Sequence, residues 1–272
     1  MLPALTPQRI VCLSEETTEW LYMLGQEHRI VGISGNTVRP HRAMLEKPKV
    51  SSFLNVRVEK ILELKPYCVF GYSDLQADIA AQLIRSGVQV TIFNQRSIEE
   101  IFSALYQIAT MVGQASQGEE LIKKMRAGID DAKQKASLLR RRPLVLFEEW
   151  DDPLISGIQW VSELLEIAGG VDFFAEMDNQ PLGKDRINAY PAEVVRRKPD
   201  LIIGSWCGKN FKAKKLALRD GSQSIPAVQD CDLCEIELSD ILQPGPAALT
   251  DGLRQLSQII HAWGVRHAAY SN

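Results

Sequence analysis

Residues 58–73 read Val-Glu-Lys-Ile-Leu-Glu-Leu-Lys-Pro-Tyr-Cys-Val-Phe-Gly-Tyr-Ser, and residues 192–205 repeat their outline as Ala-Glu-Val-Val-Arg-Arg-Lys-Pro-Asp-Leu-Ile-Ile-Gly-Ser. Each copy runs from a short amphipathic helix through Lys-Pro into an apolar strand, then to Gly and a small polar residue. Lys65-Pro66 and Lys198-Pro199 lie 133 residues apart, close to half of the 272-residue chain. This predicts one α/β lobe built twice, with a cleft where the two strand ends face each other. The period is too long for a solenoid repeat.

Around each copy, strands alternate with helices, which implies parallel pairing and right-handed crossovers. In the first half, strands are expected at 9–13, 29–33, 67–71 and 88–93, with helices over 15–24, 76–85 and 98–111. Ser14 is the expected cap of the first helix, with Thr17 and Thr18 as alternatives, and Gly25 its stop. Residues 36–57 read as irregular. Residues 117–140 hold no proline and place Leu121, Met125, Ile129, Ala132, Ala136 and Leu139 at helical spacing, ending in Arg140-Arg141-Arg142. A helix of that length, ~35 Å at 1.5 Å per residue, is long enough to bridge two lobes. The second half adds strands at 144–147, 201–204 and 233–238, a helix over 160–168 closed by Gly169-Gly170, and a helix begun by Pro191. Gln243-Pro244-Gly245-Pro246 breaks the chain before a last helix at 247–263. The resulting division is an N-terminal α/β lobe over 1–113, a linking helix over 114–142 and a C-terminal α/β lobe over 143–272.

Composition narrows the function. Hydrophobic residues make up 45% and charged residues 24%, the balance of a folded globular chain, and the net charge of −3 gives no reason to expect nucleic acid. No apolar run approaches 18 residues, so no membrane span is expected. The first residues, Met-Leu-Pro-Ala-Leu-Thr-Pro-Gln-Arg-Ile, do not read as a secretory leader. Five cysteines without framework spacing (Cys12, Cys68, Cys207, Cys231, Cys234) suit a reducing compartment. Together these predict a cytoplasmic location, with the periplasm as the alternative if a leader has been removed.

In parallel α/β lobes, ligands sit beyond the carboxyl ends of the strands. The residues expected there are Glu15 and Glu16, Tyr72, the acidic run Glu148-Glu149-Trp150-Asp151-Asp152, Trp206-Cys207, and Asp240 with Gln243. Each has a plainer role open to it. Glu15 and Glu16 suit a helix N-terminus electrostatically, and the acidic run suits a solvated loop. A lone cysteine is more often inert than reactive. Cys231 and Cys234 have zinc-knuckle spacing without a second pair, and His28, His41, His261 and His267 show no ligand spacing, so no metal site is expected. Phosphate loops and hydrolase elbows are absent.

Arg-Ile-Val-x-Leu-Ser at 9–14, Arg-Ile-Val-Gly-Ile-Ser at 29–34, Val-Glu-Lys-Ile-Leu-Glu-Leu-Lys-Pro at 58–66 and the 117–140 helix resemble the cobalamin and iron-siderophore substrate-binding proteins of ABC importers. The resemblance covers about the whole chain. It implies two parallel-sheet lobes joined by one long helix, the class III periplasmic-binding-protein architecture. It also implies a non-enzymatic protein that holds a small molecule, such as a corrinoid or iron chelate, between its lobes. By the same resemblance Glu15, Phe53, Tyr72, Glu149, Trp150, Asp152, Trp206, Asp240 and Gln243 form the ligand wall, with Cys207 added from its place after the 201–204 strand; no cofactor is implied, and an ABC importer permease is the partner. Docking glutamates of that family lie seven residues before the proline of each repeated unit. Glu59 fits, whereas the second position is Ala192, with Glu193 one residue later. The competing expectation is a cytoplasmic enzyme on the same scaffold, using Glu149, Asp152 and Cys207 as acid, base or nucleophile.

Overall fold

A computed structural model describes residues 6–51, 57–188 and 192–267. The two Lys-Pro units end their helices the same way. Lys65 and Lys198 both take positive φ, 47° and 53°. A left-handed residue closes a helix, and the proline behind it cannot resume one. The chain divides into two compact units, Met1–Lys124 with Gln243–Pro246, and Met125–Leu242 with Ala247–Asn272. Residues 243–246, placed by sequence with the second lobe, therefore pack with the first unit.

The first unit runs β1 (Ile10–Cys12), α1 (Glu15–Met23), β2 (Ile30–Ser34), α2 (His41–Glu46), β3 (Lys49–Ser51), α3 (Val58–Glu63), β4 (Cys68–Tyr72), α4 (Ala77–Arg85), β5 (Gln89–Phe93) and α5 (Ile98–Met111). Its sheet is wholly parallel, in the order β3-β2-β1-β4-β5. β1 lies at the centre and is buried throughout, as a strand covered on both faces must be. Val11, Leu13, Ile61, Val69 and Leu83 form part of the core. The stretch read as irregular holds α2 and β3. Both are too short to show a period, and β3 is anchored by Val50 alone among its three residues.

α6 (Ala115–Ala136) begins in the first unit and ends in the second. Met125, Ile129 and Ala132 are buried, as their spacing predicts. It stops four residues before the predicted end, because Arg140–Arg142 are not its last turn. Arg142 instead bonds the carbonyls of Gly169 and Gly170, capping the end of another helix.

The second unit continues with β6 (Leu144–Asp151), β7 (Leu154–Ser156), α7 (Gln159–Ala168), β8 (Val171–Asp172), β9 (Ile187–Asn188), α8 (Ala192–Arg197), β10 (Leu201–Gly204), α9 (Ala213–Ala217), α10 (Pro226–Gln229), β11 (Leu233–Glu235), α11 (Leu238–Ile241), a π turn at Ala248–Gly252 and α12 (Leu253–His267). Its sheet order is β11-β10-β6-β7-β9, with β8 also on β6. β6, β8, β10 and β11 are parallel, and β7 runs antiparallel to both β6 and β9. The acidic run is thus not a loop. It completes an eight-residue strand that turns back through Asp152-Pro153. Leu146, Phe173, Val194, Ile202 and Leu216 fill the core. Pro191 lies outside the described residues.

Gln76 fixes the carboxyl end of the first sheet. Its buried amide accepts from the Tyr72 N–H (3.0 Å) and donates to the Leu13 carbonyl (3.2 Å), bridging the chain beyond β1 to β4. Gly71 gives it room, since a Cβ there would lie 2.5 Å from the Gln76 Oε1. Gln76→Ala is expected to lower stability by about 1–3 kcal/mol, the cost of stranding buried backbone groups, as measured by urea unfolding.

Candidate functional site

In the first unit, the residues beyond β1 form a buried polar cluster. Glu15 and Glu16 share the first turn of α1, Glu19 lies on the next, and all three are buried. The Ser14 hydroxyl donates to Glu16 Oε1 at 2.6 Å, while Glu16 Oε2 has no hydrogen-bond partner among the described residues. Burial, with Glu15 and Glu19 adding repulsion, pushes the Glu16 carboxyl up to about 8. Glu16 is therefore largely a neutral acid at pH 7, able to donate a hydrogen bond. Burial also raises Glu15, whose Oε1 meets the Ser34 hydroxyl at 3.4 Å. Arg39 neutralises Glu19 at 2.9 Å.

The 243–246 segment closes over this cluster. Gly245 packs on the Glu16 Cβ so tightly that no side chain fits there, and Gln95 Nε2 donates to the Pro244 carbonyl at 3.0 Å. Gln243, half-buried, opens this segment, its carbonyl accepting from the Gly245 N–H at 2.8 Å. Tyr72 is the last residue of β4. Its hydroxyl accepts from Arg96 Nη1 at 2.6 Å and donates to the Gln95 carbonyl at 3.3 Å. Phe53 lies outside the described residues. Thr37 and Ser51 hydroxyls and Gln95 Oε1 are further buried polar atoms without hydrogen-bond partners among the described residues.

In the second unit, β6 carries the acidic run, and each acid has taken cations with it. Glu148, with no exposed side chain, is gripped by both arms of Arg219 (2.5 and 3.1 Å) and accepts from Trp206 Nε1 at 3.3 Å. Glu149 accepts from the fully buried Arg186 at 2.5 Å. Asp151, equally buried, pairs with Lys209 and with Lys215 (2.6 Å). Burial alone would raise Asp151, but the two ammonium groups outweigh it and hold the carboxyl below its usual value. Lys209 Nζ lies 3.8 Å from the centre of the Trp150 ring, a cation–π contact, and Trp150 Nε1 donates to the Asp152 carbonyl. Four cations therefore surround three carboxylates. The surplus positive charge is on Lys209 and Lys215, 37% and 54% exposed.

The other residues expected on the wall have these surroundings. Trp206 is buried, edge-on to Phe211 with centroids 4.9 Å apart. Asp240 belongs to the second unit and accepts from Gln255, whereas Gln243 belongs to the first. Asp152 is exposed and contributes its carbonyl to Trp150. Arg186, Lys215 and Arg219 are absent from the sequence-derived set. They come from loops and short helices remote from β6, and only the charge demand of Glu148-Glu149-x-Asp151 pointed to them.

The enzyme reading required Cys207 beside a carboxylate or histidine. Among the described residues none hydrogen-bonds its thiol. Cys207 is exposed as a residue, but desolvation of its sulfur, reinforced by Glu149, raises the thiol to about 12 and disfavours a thiolate at neutral pH. The docking glutamates change as well. Counted from the helix start, Glu59 and Glu193 are both second residues of six-residue helices, α3 and α8. The offset seen from the prolines arises because Leu64 follows α3 before Lys65, whereas Lys198 follows α8 directly.

A family model described as periplasmic binding protein matches residues 10–237. An ABC transporter substrate-binding lipoprotein of Bacillus subtilis is 26% identical over 264 residues, 94% of this chain and 80% of that protein. A vitamin B12-binding protein of Yersinia pseudotuberculosis is 26% identical over 211 residues, 75% of this chain and 71% of that one. Among solved structures, a possible iron-binding periplasmic solute-binding protein of Staphylococcus epidermidis superposes with a TM-score of 0.80 at 21% identity, over 94% of this chain and 99% of that one; at that identity the likeness is one of fold. The chain belongs to the periplasmic binding protein family. It is a non-enzymatic small-molecule binding protein of the ABC-importer kind, with the two-lobed α/β class III fold.

This corrects the cytoplasmic expectation, since these relatives are lipoproteins or periplasmic proteins. The cysteine count carried no information about compartment. Cys12 and Cys68 are buried, with thiols raised to about 12 and about 11 by that burial, and so do not need a reducing solvent to stay reduced. Among the described residues no helix is long and apolar enough to cross a membrane.

Two outcomes follow from the charge arrangement. Between pH 4.5 and about 8 the folded chain holds a Glu16 proton that the unfolded chain lacks, so this group costs stability progressively as pH rises. Glu16→Gln should leave stability at pH 4.5 nearly unchanged and raise it at pH 8.5 by at least about 1 kcal/mol, read from thermal melts across that range. Glu148→Ala strands Arg219 against a buried wall and should cost about 3–5 kcal/mol in urea unfolding.

Proposed function

We propose that this protein is the substrate-binding component of an ABC importer for an anionic metal chelate or corrinoid with a flat ring face. The observation that carries this reading is the Trp150–Lys209–Lys215 group above buried Asp151. It offers an indole for an apolar face and two ammonium groups, only half neutralised, for a ligand's acidic substituents. In the first unit, Glu15, neutral Glu16, Tyr72, Gln95 and Gln243 supply polar groups for amides or hydroxyls. The vitamin B12-binding and possible iron-binding relatives support the ligand class.

The proposed partner is a permease pair that receives Glu59 and Glu193, exposed or half-exposed on matching helix positions. Glu193 is held ionised by its bond to Arg196, within the same helix.

Calorimetric titration with cyanocobalamin, haemin and ferric siderophore chelates tests the ligand class. Saturable one-to-one binding to one of them is expected. Trp150→Ala, and separately Lys209→Ala with Lys215→Ala, should weaken it tenfold or more. The lysine variant should also flatten the salt dependence of affinity. Silence from all three ligands, or binding indifferent to both variants, defeats this reading.

A further inference from the structure

The second unit carries a cluster at the opposite, amino-terminal edge of its parallel strands, remote in sequence from the β6 acids. Asp230 and Asp232 lie in the turn that leads into β11, and His267 is in the last turn of α12. One ligand-competent atom from each lies within 4.8 Å of the others. His267 Nε2 is 3.5 Å from Asp230 Oδ2 and 3.8 Å from Asp232 Oδ2.

Three features aim these atoms at a common point. First, His267 Nδ1 is 2.9 Å from the Trp263 carbonyl. A carbonyl only accepts, so Nδ1 is the donor in this contact, and Nε2 is the nitrogen that faces the aspartates. A histidine oriented through its second nitrogen by a carbonyl is the usual arrangement at a metal. Second, the ring stacks on Trp263, centroids 4.4 Å apart and planes 17° apart, which fixes its plane. Third, Asp232 is 3% exposed, and its Oδ2 has no hydrogen-bond partner among the described residues, while Oδ1 is taken by Arg266. A buried carboxylate oxygen without a partner is costly unless something positive comes to it.

The spacings suit a cation better than direct contact. At 3.5 and 3.8 Å, Nε2 is at or beyond the limit of a hydrogen bond to either aspartate. Metal–ligand bonds of about 2.0–2.2 Å in a tetrahedron put neighbouring ligand atoms about 3.3–3.6 Å apart. The two His267–aspartate separations are within a few tenths of an ångström of such edges, the two aspartate oxygens, within 4.8 Å, close by a carboxylate rotation, and Asp230 is exposed enough for water to reach the fourth corner. One imidazole with two carboxylates favours a borderline cation of the Zn²⁺ type over Mg²⁺ or Ca²⁺. We propose that Asp230, Asp232 and His267 form a divalent transition-metal site that clips the end of α12 to the turn entering β11. It is separate from the ligand-binding reading above, and neither depends on the other.

The test uses the full chain, stripped with EDTA and dialysed. Co²⁺ is titrated by visible absorption and Zn²⁺ by calorimetry and competition. One equivalent should bind with d–d bands of a low-coordinate site, and Zn²⁺ should displace it. Added Zn²⁺ should raise the melting midpoint by several degrees. His267→Gln and Asp230→Asn should each weaken binding at least tenfold; Asp230 is exposed, so its variant tests the site without disturbing the core. A protein that binds neither ion stoichiometrically, or binds both unchanged in the two variants, overturns the proposal. So does a melting midpoint that rises only on acidification and ignores Zn²⁺, since that marks a plain imidazolium–aspartate pair.

Discussion

A carboxylate removed from water must be neutralised where it is buried. That constraint organises the second unit. Glu148 and Asp151 sit on the central strand with no exposed side chain, and an unpaired ion there would cost several kcal/mol. Arg219, Arg186, Lys209 and Lys215 are therefore drawn from separate loops to one strand end. Their arrival orders those loops, seats Trp206 against Glu148 and leaves Lys209 above Trp150. The site's positive surplus is thus produced by acids, although the sequence of the strand reads as an acidic run.

The first unit meets the same constraint differently. Beyond β1, Glu19 finds Arg39, but Glu16 keeps its proton. One lobe's strand ends thus present ammonium groups, and the other's a neutral carboxyl, amides and hydroxyls.

Much of the fold was legible because it rests on local signals. The Lys-Pro repeats, the apolar runs of the parallel strands β1, β4 and β10 and the Met125–Ile129–Ala132 stripe are all periodic or punctuated. The segment with α2 and β3 was not legible, since elements of three to six residues show no period. Nor was the hairpin of β6 and β7, where charged residues inside a strand mimic a loop. For the candidate site, residue types at strand ends nominated Glu15, Tyr72, Glu149 and Trp150, but not the cations that neutralise the acids. Pairing across 58–71 residues leaves no mark in spacing. The same limit hid the Asp230–Asp232–His267 grouping, whose parts are remote in sequence and meet only in three dimensions.

The four residues Gln243–Pro246 have a consequence for synthesis. They complete the first unit through Gln95 and Glu16, yet they follow the whole of the second unit's sheet in the chain. On a ribosome the first sheet can assemble early, but the Pro244 carbonyl reaches Gln95 only after 149 further residues have been made. Until then Gln95 and the buried acid beside β1 stay open to solvent. The nascent lobe waits, half-finished, until residues 243–246 close it.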